Sequence, residues 1–223
     1  MSIFLASPIS CLVKRITKIS DSAVRRLSHY LRFLDEFEAA GQRTVSSGDL
    51  AERGGITSAQ VRKDLSHFGS FGKRGTGYPV GALRERIVEI LGLGRTWRVA
   101  VVGAGKLGAA LFHYGGFRRQ GFEVVAAFDT DPAKIGRRWG EVVIDDVADL
   151  ARVVRKRQIE IAIVTTPAEA AQDVADALVA AGIAAILNFA PRKLAVPPEV
   201  TLRDVSLTIE LESLTFALTH KER

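Results

Sequence analysis

Apolar and polar positions follow two different periods along this chain, and the change comes near residue 96. Over residues 22–40 the apolar positions Val24, Leu27, Tyr30, Leu31, Leu34 and Phe37 recur at helical spacing. They predict an amphipathic helix capped by Asp21 or Ser22 and ended by Gly41. A short helix is predicted over 47–53, broken by Gly54-Gly55, and a third over 58–67 (SAQVRKDLSH), capped by Thr57 or Ser58. Val61 and Leu65 form its inward pair. Two short helices joined by a tight glycine-containing turn make a helix-turn-helix. Residues 69–78 (GSFGKRGTGY) carry four glycines and two adjacent cations, which no helix tolerates; aromatic flanks and an exposed tip predict a β-hairpin. A fourth helix over 82–91, built on Leu83, Ile87 and Ile90, leads to the linker Gly92-Leu93-Gly94-Arg95.

Beyond Trp97, short buried strands alternate with helices. Strands are predicted at 98–102, 122–128, 142–144, 159–164 and 184–188, and helices at 106–119, 146–157 and 168–181. This alternation predicts an α/β unit with a doubly wound, Rossmann-like parallel sheet behind an N-terminal winged helix-turn-helix. The last segment, 206–219 (SLTIELESLTFALT), is strongly apolar for a chain end and predicts a helix packed against something large.

Charge sharpens the division. Residues 1–95 hold 15 Lys/Arg against 9 Asp/Glu, whereas residues 96–223 hold 16 of each. The positive excess therefore lies wholly in the N-terminal part and points to a polyanionic partner there. No apolar run approaches the roughly 18–20 residues a membrane span needs, so no membrane partner is expected. The apolar patch at the N-terminus precedes its positive charges and shows no clear cleavage site, so a signal peptide is not expected. Residues 1–18 read as a mobile arm. A single cysteine, Cys11, excludes an internal disulfide framework and suits a reducing cytoplasm. No metal site is expected.

Candidate chemistry centres on Gly103-Ala104-Gly105-Lys106-Leu107-Gly108. A lone G-x-G-x-x-G is weak evidence, but this one follows an apolar strand, opens a helix and lies in a βαβ unit, with Asp129 ending the second strand. Gly103 permits the tight turn, Gly105 lets the backbone approach a pyrophosphate, and Gly108 lets helix and strand pack closely. Amides exposed at the helix start favour phosphate. Asp129 can accept hydrogen bonds from the adenosine ribose and repels a 2′-phosphate, so NAD is expected over NADP. Thr165, Thr166 and Pro167, then Asn188 and Phe189, end later strands facing the same crevice or simply turn the loop. Tyr114, on the first helix, suits either the core or a ligand. On the third helix, Gln60, Arg62, Lys63 and Ser66 are polar opposite Val61 and Leu65; these types read base edges or clamp phosphates in a major groove. Lys73 and Arg74 at the hairpin tip suit a minor groove or a phosphate.

VRKDLSHFGSFGKRGTGYPV, GAGKLG, FDTDPAKIG, TTPAEAAQ, GIAAILNFAP and DVSLTIELESLTFAL, in that order over about residues 16–219, resemble the redox-sensing transcriptional repressor Rex family. The resemblance implies a winged-helix DNA-binding domain (19–92), a Rossmann NAD(H)-binding domain (96–203) and a dimerisation helix (204–223) swapped between the protomers of a homodimer. It implies a repressor, not an enzyme, that senses NADH/NAD⁺ and releases operator DNA when NADH binds. Tyr114 and Phe189 would then lie at the nicotinamide. One position departs from the pattern: the family typically carries an aspartate, thought to switch between an arginine of the DNA-binding domain and the nicotinamide-side tyrosine, where this chain has Ser206. Arg26 would be the arginine, and serine cannot form that ion pair, so weaker or altered coupling to NADH is expected. Symmetric recognition helices predict a pseudopalindromic operator. A dehydrogenase is the contrasting reading, but only 35 residues follow Asn188 and no histidine stands beside an obvious carboxylate at a strand end. A nucleotide-binding adaptor without DNA contact is a third, disfavoured by the basic recognition helix.

Overall fold

The computed structural model describes residues 20–68 and 77–220. The chain divides at Gly94/Arg95 into two compact units.

In the first unit, α1 (Asp21–Ala39) is capped by Ser20, whose hydroxyl accepts from the Ala23 amide. The cap therefore lies just before the predicted positions. The helix buries Leu27, Tyr30, Leu31, Leu34 and Phe37, while Val24 stays exposed and Ala23 takes the inward place. Each fully buried large side chain contributes about 1.5–3 kcal/mol, so this stripe anchors the unit. The helix-turn-helix follows as α2 (Ser47–Gly54) and α3 (Ser58–Ser66). A capping box, Ser46 with Asp49, starts α2, satisfying two amide donors the helix itself cannot. Gly55 ends it with φ of +60°, a left-handed turn that costs glycine least. Thr57 caps α3. β1 (Thr44–Val45) pairs antiparallel with β2 (Tyr78–Pro79), a pairing the periodicity had not indicated. α4 (Val80–Ile90) begins two residues before its predicted start. The predicted hairpin, with Lys73 and Arg74, and the arm at 1–18, with Cys11, lie outside the described residues.

The second unit holds a seven-stranded sheet in the order β5-β6-β4-β3-β7-β8-β9. Its strands are β3 (Trp97–Val102), β4 (Phe122–Asp129), β5 (Arg138–Trp139), β6 (Val142–Asp146), β7 (Ile161–Val164), β8 (Ala185–Asn188) and β9 (Thr201–Asp204). All pairs are parallel except β5 with β6. Two short helices, α5 (Lys106–Phe112) and α6 (Gly115–Arg119), replace the single one predicted over 106–119. Adjacent Gly115 and Gly116 weaken the helix, and Tyr114 sits in the break with extended backbone. α7 (Leu150–Arg157) and α8 (Ala168–Ala180) cover the other face, where Phe128, Leu150, Val154, Val174 and Leu178 share a core. β5 and β9 are additional to the predicted strands, and β9 makes Asp204 part of the sheet.

α9 (Leu207–Thr219) buries none of its residues. Leu207, Ile209, Leu211, Leu214, Phe216 and Leu218 are each 60–73% exposed. They lie on more than one side of the helix, a pattern that belongs to helices enclosed all round. Among the described residues no helix is long and apolar enough to cross a membrane.

Candidate functional site

Within the sheet, β3 pairs with β4 on one side and β7 on the other. The loops after β3 and β7 therefore diverge, opening a crevice at their carboxyl ends, where ligands of such sheets bind. A cavity of about 590 Å³ lies there, lined by Gly103, Gly105, Leu107, Asp129, Thr165–Pro167 and Phe189, among others.

The glycines define its floor. Gly103 has φ of +105°, and a Cβ there would come within 2.8 Å of the Thr165 carbonyl. A Cβ on Gly108 would overlap the carbonyl oxygen of Gly103. A Cβ on Gly105, by contrast, would meet nothing within 4 Å. The first and third glycines are thus demanded by the protein's own packing, whereas the second leaves open space in front of the backbone. Thr165 holds the turn, its hydroxyl donating to the carbonyl of Gly103 at 2.8 Å. The Thr166 hydroxyl is buried with no hydrogen-bond partner, a cost a buried polar group normally escapes by pairing.

Asp129 is nearly buried at the end of β4. Its Oδ2 accepts from the Ala104 amide at 2.7 Å and from Lys134 Nζ at 3.0 Å, and its Oδ1 accepts from the Asp131 amide at 2.9 Å. Burial works to raise the carboxyl's pKa, but these hydrogen bonds and the Lys134 charge outweigh it and hold it below the usual carboxylate range. A fixed carboxylate therefore faces the cavity. These features fit a dinucleotide: open backbone for a pyrophosphate, an acceptor for a ribose and an orphaned hydroxyl.

The structure separates the remaining sequence-derived residues. Ala104 contributes its amide to Asp129, and Lys106 is exposed at the start of α5. Asn188 does not line the cavity. Its side chain is buried, donating to the Arg192 carbonyl and Asp204 Oδ1 and accepting from the Ala190 amide. It ties β8 to β9 instead of presenting a ligand group. Tyr114 is 57% exposed, which removes the core reading for it. Its ring packs edge-on against Phe117 over the Cα of Gly116, at the rim of a second cavity of about 460 Å³.

In the first unit, Arg62, Lys63 and Ser66 stand exposed on one side of α3. Arg62 also donates to the Ser47 hydroxyl at 3.0 Å, and the Ser66 hydroxyl donates to the Lys63 carbonyl at 2.7 Å. Gln60 is turned inward, its amide donating to Asp64 Oδ1 at 2.7 Å. Asp64, not among the residues expected to act, is the centre of this helix's polar contacts. It is 1% exposed, accepts two hydrogen bonds from Arg26 at 2.6 and 2.8 Å, and accepts a third from the Tyr30 hydroxyl at 2.8 Å. Burial opposes its ionisation, yet Arg26, Tyr30 and Gln60 together hold its pKa below the ordinary value. The same contacts raise that of Arg26, and burial with Asp64 raises that of Tyr30. The signal was available: Val61, Asp64 and Leu65 share one face by helical spacing, so a carboxylate among them needs a partner. Arg26 thus has an ion-pair partner within its own unit. Ser206, the departing position, caps α9 by accepting from the Ile209 amide. Among the described residues no group of three or more His, Cys, Asp or Glu side chains could hold a metal ion.

Comparison with known proteins matches residues 18–66 to the family described as putative DNA-binding protein N-terminus and residues 94–192 to the CoA binding domain family. The redox-sensing transcriptional repressor Rex of Carboxydothermus hydrogenoformans is 51% identical, covering 89% of this chain and 96% of its own. That of Desulforamulus reducens is 48% identical, covering 92% and 98%. Among solved structures, the repressor RSP in complex with β-NAD⁺ and operator DNA superposes with a TM-score of 0.87 at 37% identity, over 91% of this chain and 94% of its own. RSP in complex with β-NADH gives 0.84 at 35% identity, over 92% and 96%.

Proposed function

Because the chain belongs to the redox-sensing transcriptional repressor Rex family, we propose that it represses transcription by binding operator DNA through α3 and reports the NADH/NAD⁺ ratio through the crevice at Gly103–Gly108. The observation that carries this reading is the pairing, on one chain, of a dinucleotide-shaped crevice with a separate unit whose helix exposes Arg62 and Lys63. NAD and coenzyme A share an adenosine diphosphate half. Asp129 favours the one whose adenosine ribose carries no phosphate, because a fixed carboxylate repels phosphate. When bound, the nicotinamide supplies the redox signal. Gly105 gives the pyrophosphate room, Asp129 accepts from the ribose, and Phe189 offers an apolar face.

α9 supports a homodimer. Six exposed large apolar side chains on one helix need a cover, and a second copy of the chain, contributing its own α9 in exchange, gives a symmetric, closed assembly. Two recognition helices then meet a pseudopalindromic site. The place of action is the cytoplasm, where operator DNA and the NAD(H) pool meet. Ligand control requires that NADH and NAD⁺ differ in affinity for the DNA-binding arrangement.

A gel shift with a palindromic operator, titrated with NADH and with NAD⁺, tests the proposal. Release by NADH at concentrations where NAD⁺ leaves the complex intact is the expected result. Binding indifferent to both, or hydride transfer without DNA binding, refutes it.

A further inference from the structure

Two rows of side chains run along the inward side of α3. Val61 and Leu65 form an apolar row, and Gln60 and Asp64 form a polar row about 100° round the helix from it. Val61 and Leu65 are buried. Apolar contact is non-directional, so their row sets how deep α3 sits but constrains its rotation weakly. The polar row is held by direction. The Arg26 guanidinium donates to both carboxylate oxygens of Asp64, Nε to Oδ2 at 2.6 Å and Nη2 to Oδ1 at 2.8 Å. The Tyr30 hydroxyl donates to Oδ2 and the Gln60 amide to Oδ1. Arg26 and Tyr30 both stand on α1, whose buried stripe packs into the core of the unit. A fork-to-carboxylate pair carries geometric specificity as well as energy. On the opposite flank of α3, Arg62 meets the Ser47 hydroxyl through a single exposed hydrogen bond, a contact of modest net worth.

Resting on the DNA-binding reading above, we infer that Asp64 is a positioning residue for operator recognition: it fixes the rotation of α3, so that Arg62, Lys63 and Ser66 face outward and Gln60 is withheld from base contact. Asp64 itself does not touch DNA. α3 has nine residues, and all its exposed side chains turn together. A roll of about 20° moves a side-chain tip at a radius of about 5–6 Å by roughly 2 Å, enough to break a hydrogen bond to a base edge. Attraction to phosphates survives such a shift, because charge acts over a longer range. Loss of the Asp64 lock therefore costs sequence discrimination and spares general affinity for DNA.

The test compares the affinities of the full chain for two duplexes, by fluorescence anisotropy at one salt concentration without added NADH. One is a palindromic operator selected from random sequence with the wild-type protein; the other is a scrambled duplex of the same length. The triple variant Arg26→Met, Tyr30→Phe, Asp64→Leu fills the site with apolar groups, and Arg26→Lys keeps the charge but loses the fork. The scrambled duplex should bind both variants within about twofold of wild type. The ratio of operator to scrambled affinity should fall about tenfold in the triple variant, the size of one misaligned bidentate base contact, and about threefold in Arg26→Lys. A triple variant that melts near wild type and keeps the ratio marks a merely structural network and overturns the inference. Equal loss on both duplexes overturns it as well. Should the triple variant fail to fold, Arg26→Lys decides alone, and an unchanged ratio there overturns the inference. A wild-type chain that prefers no selected duplex overturns the DNA-binding reading and this one with it; wild-type discrimination that the variants retain overturns this one alone.

Discussion

Replacing Asp64 by alanine leaves the Arg26 guanidinium facing a space from which its counter-charge has gone, with the Tyr30 hydroxyl beside it lacking an acceptor. Breaking a buried ion pair from one side costs roughly 3–5 kcal/mol. Asp64 is 1% exposed, but the Arg26 side chain is 25% exposed and can recover some hydration, so the lower end, about 3 kcal/mol, applies. In a unit of 60–100 residues each kcal/mol lowers the thermal midpoint by about 4–8 °C, so a drop of roughly 12–24 °C is expected. Calorimetry of the full chain should place that drop in one transition, while dinucleotide binding by the second unit keeps its affinity. The triple variant Arg26→Met, Tyr30→Phe, Asp64→Leu removes both charges and the phenol together, leaving Gln60 free to turn to solvent; it should recover most of the loss, because the penalty comes from leaving partners stranded. pH provides an independent check. The folded pKa of Asp64 is depressed, so its contribution is fully present above the unfolded value of about 3.9 and disappears as pH falls through the lower folded value. Asp64→Ala should flatten that acid limb. A loss under about 1 kcal/mol, or a triple variant no better than the single one, would refute the reasoning.

Lys63→Ala should weaken binding to all DNA sequences alike and reduce the slope of log affinity against log salt by about one if it meets a phosphate, measured by fluorescence anisotropy across salt concentrations. Ser206→Asp should leave the stability of α9 within about 0.5 kcal/mol, since aspartate caps a helix as well as serine, yet shift the NADH midpoint for operator release; an unchanged midpoint in the gel-shift titration removes the coupling role assigned to position 206. Leu211→Glu with Phe216→Glu should convert the chain to monomer by light scattering and abolish tight operator binding, while a dimer that survives both changes excludes α9 from the interface.

Long periodic segments and the glycine turn were legible because their signals are local. α1 repeats its apolar stripe over nineteen residues, and Gly103–Gly108 combines a strand, a turn and a helix start within one short stretch. β9 was not legible: Thr201–Asp204 is short and mostly exposed, and becomes a strand only because β8 offers it an edge. β5 likewise exists by folding back on β6. The break at His113-Tyr114 came from a glycine pair whose helix-weakening effect the apolar periodicity of 106–119 concealed. At the sites, residue type located the polar face of α3 but could not tell which side chains turn inward. Gln60 and Asn188 look like ligand groups in the sequence, yet each is engaged by a buried or nearby partner that only the tertiary structure supplies. Asp64 shows the converse, a role set by Arg26 and Tyr30 lying across from it.

The uncovered α9 has a consequence for abundance. Its six apolar side chains stay 60–73% exposed within one chain; under the proposed homodimer most of that surface is desolvated when two chains meet. That share of the free energy is therefore bimolecular and enters with the logarithm of concentration. Dilution acts on such a protein as a mild denaturant, its melting temperature rises with the amount present, and a cell that makes few copies holds a smaller fraction in the form that can grip DNA. Expression level then sets the gain of the sensor as well as the number of sensors.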